Sequence, residues 1–160
     1  MTAIIPKHIV IDTNVCLDLF VFNDPRWLDI LHGLKNGQLK AITRTDCREE
    51  WLAVLKYPHL PVTQDKLPNI CQQFDLLIEC VAPPLKADIR LPVCSDKDDQ
   101  KFLEIARDGS ATTLITKDKA LLKLARKIRK AGLFSVETPE QFLIAWTQEN
   151  SKTNDNQVKQ

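Results

Sequence analysis

Ile9-Val10-Ile11, entered from His8, is a short β-branched run that leaves no polar position to face water. It leads directly into a helical stretch. A strand of this kind reads as buried on both faces. The same figure recurs along the chain. Leu39–Thr43 precedes a helical stretch, 112–116 precedes another, and 134–136 leads to a helix starting near Pro139. Strands separated by helices join as parallel crossovers, not hairpins. The chain is therefore expected to be a three-layer α/β/α protein with a mostly parallel central sheet.

Between the strands, apolar spacing and stop signals predict helices over 15–20, 25–35, 46–56, 63–79, 95–107 and 119–130. Trp27, Ile30, Leu31 and Leu34 form the inner stripe of the second helix, and Gly37 ends it. Asp46 is expected to cap the third, which Pro58 and Pro61 stop. Ser95 with Asp98 reads as an acidic variant of the capping box. The segment after Pro83-Pro84, as far as Cys94, shows little periodicity. The tail from Gln148 is polar and expected to lack order. This gives one domain over 1–147 and a tail over 148–160, within the size a single core supports.

Composition narrows the class further. At 44% apolar and 27% charged residues the chain resembles an ordinary globular protein. No run approaches the ~20 apolar residues of a membrane span. A soluble cytoplasmic protein without a membrane partner is expected. Cys16, Cys47, Cys71, Cys80 and Cys94 form no C-x-x-C pair and sit mostly among aliphatic residues, which suits buried free thiols. His8, His32 and His59 lack metal-ligand spacing.

The acids carry the chemistry. Ligands of open parallel sheets bind beyond the carboxyl ends of the strands, and Asp12 and Asp118 each lie just past a predicted strand. At about 100° per residue, Asp99 falls at the centre of the arc shared by Phe102, Leu103 and Ala106, while Asp98 lies about 90° away. An inward carboxylate is costly to bury unless something compensates it. On the helix from Asp46, Glu50 sits at the margin of the face made by Cys47, Trp51, Val54 and Leu55; Glu49 lies almost opposite. Asp12, Glu50, Asp99 and Asp118 are thus expected to converge as hard oxygen ligands for Mg²⁺ or Mn²⁺. Capping alone would explain Asp99 or Asp118 singly, but not the set of four.

The motifs themselves resemble the PIN domain family. Ile9 to Val15 is similar to its opening signature, and Glu50 to Leu55 to its second motif. Asp96 to Leu103 with Ala106 resembles the third, Leu114 to Leu122 the fourth, and Thr138 to Leu143 the ending. As a set they resemble the bacterial branch described as toxin components of toxin–antitoxin systems. The resemblance implies a Mg²⁺- or Mn²⁺-dependent endoribonuclease with Asp12, Glu50, Asp99 and Asp118 as metal-binding and catalytic residues. Asn14 and Thr116 would orient those ligands, with Asp96 beside them. The third motif departs from the family pattern at Lys97 and Gln100, and leaves open whether Asp96 or Asp98 shares the role of Asp99. The implied partners are an RNA substrate, an antitoxin protein and a second copy in a homodimer.

Net charge is only +1, but seven basic residues and one acid lie between Lys117 and Lys130. Lys119, Lys123, Arg126, Lys127 and Lys130 fall outside the core stripe of Leu121, Leu124, Ala125 and Ile128. Either they are a solvated face or they hold the RNA backbone. Two rival functions share some of these features. A haloacid-dehalogenase-like phosphatase needs a second acid where Asn14 stands, which argues against it. A non-catalytic PIN scaffold binding RNA or protein would not require all four acids.

Overall fold

The computed structural model describes residues 5–158. Its centre is a five-stranded sheet in the order β3-β2-β1-β4-β5, with every neighbouring pair parallel. The strands are β1 (Lys7–Ile11), β2 (Leu39–Thr43), β3 (Ile78–Cys80), β4 (Thr113–Ile115) and β5 (Ser135–Glu137). The β1 side chains alternate as the strand period requires. Ile9 and Ile11 enter one core, which contains Phe20, Ile30, Trp51, Phe74 and Phe142. Val10 enters the other, with Phe102, Leu103, Leu114, Leu121 and Ile128. Helices therefore cover both faces, and the three-layer α/β/α expectation is met.

The helices are α1 (Thr13–Phe20), α2 (Leu28–Lys35), α3 (Thr45–Val54), α4 (Leu67–Leu77), α5 (Gln100–Asp108), α6 (Lys119–Leu122), α7 (Ala125–Lys130) and α8 (Pro139–Val158). Trp51 from α3 stacks on Phe74 from α4 with centroids 4.8 Å apart, and Phe20 from α1 meets both edge-on. This cluster locks α3, and with it Glu50, against α1. Gly37 ends the α2 turn at φ 83°, a left-handed conformation that glycine adopts without the Cβ penalty.

Several local expectations need correction. The sequence pattern predicts a fourth helix through Glu79, but α4 stops at Leu77 and Ile78–Cys80 forms β3 at the sheet edge. Cys80 is consequently exposed, unlike Cys16, Cys47 and Cys94. Asp46 does not cap α3. Arg44 occupies that position, and the Asp46 carboxylate pairs with the Arg44 guanidinium at 2.7 Å while accepting the Cys47 N–H. Asp96, not Ser95, caps the turn before α5. The predicted single helix over 119–130 breaks at Lys123 and Leu124 into α6 and α7. In α8 the backbone is helical across 148, where the tail was expected to begin, and continues to Val158; residues 159–160 lie outside the described residues.

Candidate metal centre

The chain runs from β1 outward to β2 and β3 on one side, then returns past β1 to β4 and β5 on the other. The carboxyl ends of β1 and β4 thus flank the topological switch point, where open α/β sheets bind ligands. Asp12 leaves β1 there and donates its backbone N–H to the Ile115 carbonyl at 2.9 Å. Thr116 leaves β4 beside it. Two strands fix the first residues of the site directly.

Asp12 is 3% exposed and caps α1. One carboxylate oxygen accepts the Thr13 N–H at 2.7 Å, and the other accepts the hydroxyl of fully buried Thr116, also at 2.7 Å. The same Thr116 oxygen accepts the Asp118 N–H at 2.9 Å, so one side chain positions both acids. Burial pushes the Asp12 carboxyl up to about 6, against the lowering effect of these two hydrogen bonds. Asp118 caps α6, accepting the Ala120 N–H at 2.8 Å.

The third acidic element is the turn Lys97–Asp99 before α5. Asp96 and Asp98 are exposed, while Asp99 is 8% exposed. Helical phase predicts an inward Asp99, and the structure buries it although the helix proper begins one residue later. One ligand atom each from Asp96, Asp99 and Asp118 lie within 4.8 Å of one another. Oδ2 of Asp99 is buried and has no hydrogen-bond partner. Burial, then the neighbouring Asp118 carboxyl and its charge, raise the Asp99 carboxyl far above the usual carboxylate range.

Neither Asp12 nor Glu50 is in that group of three, so the expected four acids are not brought together as one set. The Glu50 carboxylate is held at the margin of α3, where Thr13 donates a short hydrogen bond to Oε2 and Lys101 contacts Oε1 at 3.0 Å. Glu49 is exposed. Asn14 is exposed on the first turn of α1, with no side-chain hydrogen bond to the acids among the described residues. Thr13 and Lys101 escaped the sequence reading. Their contacts cross 37 and 51 residues of chain, and nothing in local periodicity reports such pairs. The only available hint was that both flank motif acids or core positions.

The three clustered carboxylates offer an all-oxygen donor set, and the orphaned Asp99 oxygen is a buried acceptor in want of a positive partner. Both features fit a hard divalent cation. An open parallel sheet with a carboxylate cluster at its switch point is a candidate divalent-metal site of an α/β protein. The chain matches the family model of the PIN domain over residues 8–120, a span that includes Asp12, Glu50, Asp96, Asp99 and Asp118. It belongs to that family, whose members are generally nucleases and typically use divalent metals. No curated protein matches it.

Proposed function

We propose that the protein is a Mg²⁺- or Mn²⁺-dependent endoribonuclease. The observation that carries this reading is the meeting of Asp96, Asp99 and Asp118, with a buried unpartnered oxygen on Asp99, at the carboxyl edge of the sheet. Asp99, Asp118 and Asp12 would be the principal ligands, with Asp96 completing the set. When bound, a divalent ion supplies an activated water and charge stabilisation for phosphodiester cleavage. Thr116 holds Asp12 and Asp118 in place before any ligand arrives, so the site is pre-organised. Cleavage of end-labelled RNA with Mg²⁺ or Mn²⁺, but not with EDTA, tests the reading. RNA retained intact under all conditions would assign the fold to a non-catalytic scaffold.

Within this reading Glu50 is a positioning group and Glu49 is solvated. Glu50→Gln is expected to slow cleavage by about 10–100-fold. Glu49→Gln is expected to change it less than twofold. Equal effects of the two substitutions on single-turnover rates would remove Glu50 from the site.

Lys119, Lys123, Arg126, Lys127 and Lys130 are all exposed on α6, α7 and the break between them. We place the RNA backbone against them, beside Asp118. Each lost phosphate contact reduces the log–log salt slope by about 0.7 for single strands, so Lys123→Gln/Lys127→Gln should lower it by about 1.4. The chemical step at saturating RNA should change little, because such contacts hold ground and transition states alike. An unchanged slope returns these lysines to the solvated surface.

The motif set also supports a biological role as the toxin of a toxin–antitoxin pair. Induced expression should then arrest growth, and Asp99→Asn should relieve the arrest. Undisturbed growth with active enzyme present would contradict that role.

A further inference from the structure

Lys101 is a cation paired with Glu50 at the margin of the acidic site, and the proposed mechanism does not use it. It leaves the first turn of α5, its side chain is 16% exposed, and its ammonium lies 3.0 Å from Oε1 of Glu50. It also donates to the backbone carbonyl of Asp98. The other Glu50 oxygen is taken by the Thr13 hydroxyl, and Thr13 donates its backbone N–H to Asp12. Both oxygens of Glu50 are therefore engaged, whereas Asp99 keeps a buried oxygen with no partner. The two sides of the site differ in kind. On the Glu50 side the negative charge is already matched by a protein cation, and on the Asp99 side it is not.

We propose that Lys101 is a built-in cation that takes the place of a second metal ion, so that the chain binds a single divalent ion, on the Asp96, Asp99 and Asp118 side. The inference rests on the metal-dependent reading above and extends it to stoichiometry. A second divalent ion at Glu50 would have to displace an ammonium held by a carboxylate and a carbonyl, and would meet its repulsion. A fixed ammonium there supplies part of the positive charge that a second ion supplies in two-metal sites. Lys101 acts through Glu50 and the local charge, so it is a positioning residue.

The test counts bound Mn²⁺ per chain by electron paramagnetic resonance and equilibrium dialysis on the folded full chain. Wild type should bind one ion. Lys101→Arg preserves the charge and should also bind one. Lys101→Met removes the ammonium, which lies 5.4 Å from the Phe102 ring centroid, at little cost in side-chain length; it frees Glu50 beside Asp12 and should bind two. Adding Glu50→Gln to Lys101→Met should return the count to one. Thermal unfolding checks that each variant is folded. Two ions bound by wild type, or one ion still bound by a folded Lys101→Met, overturns the inference while leaving the metal reading intact. No Mn²⁺ bound by wild type defeats the metal reading itself, and this inference with it.

Discussion

Asp99→Asn is expected to lower RNA cleavage at saturating substrate by at least about 10²-fold, with the fold intact. Asp98→Asn should leave the rate within about threefold. The contrast follows from one turn of chain. Asp99 is buried with an unpartnered carboxylate oxygen, while its neighbour is exposed. Asparagine fills the same space but supplies no anionic ligand, so the loss should appear in metal affinity as well as in turnover. Single-turnover cleavage across a Mg²⁺ titration measures both. Full activity in Asp99→Asn, with activity lost in Asp98→Asn, would place the ligand on the wrong residue.

The same acids should make the metal-free protein less stable as pH rises. Asp12 is raised to about 6 in the folded state, against an ordinary value of 3.8 in the unfolded chain. Its protonated form therefore stabilises the fold fully below about pH 4, and that contribution is lost as pH climbs through about 6. A difference of this size corresponds to about 3 kcal/mol, or roughly 5–10 °C in Tm for a chain of this length. Asp99 acts in the same direction. Asp24, Asp46 and Asp108 have lowered values, so their contributions fade only at more acid pH. With EDTA present, Tm should fall between pH 5 and pH 8. Asp99→Asn should raise Tm at pH 8 and flatten the trend, and Mn²⁺ should restore wild-type stability there by binding the folded state. A wild-type Tm that stays level or rises over this range would mean that Asp12 and Asp99 are not shielded from solvent as described.

Much of the architecture was legible because one rule dominates it. Strands buried on both faces and followed by helices leave few choices but a parallel sheet, and Asp12 and Asp118 inherit their places from that topology. Asp99 was legible because inward-facing residues keep their helical phase through the turn before α5. The misses have local causes. Ile78-Glu79-Cys80 follows Leu77 without a turn signal, so the strand was absorbed into the helix; only pairing with Ala41, Ile42 and Thr43 makes it a strand. Asp46 sits where a cap could be, but the Arg44 guanidinium two residues earlier engages its carboxylate. The ties of Glu50 to Thr13 and Lys101 depend on three elements meeting in space. Sequence patterns within each element could place Glu50 at the margin of the site, but could not show that its charge was already matched.

Under the proposed function, the carboxylates at the carboxyl edge of the sheet hold the divalent ion on which cleavage depends. Anomalous scattering from crystals grown with Mn²⁺ tests it most directly. A single strong peak coordinated by Asp99 and Asp118 is the predicted result, and it should vanish in Asp99→Asn crystals. A peak elsewhere on the chain, or none among these carboxylates in a protein that still requires Mn²⁺ to cut RNA, would contradict the account.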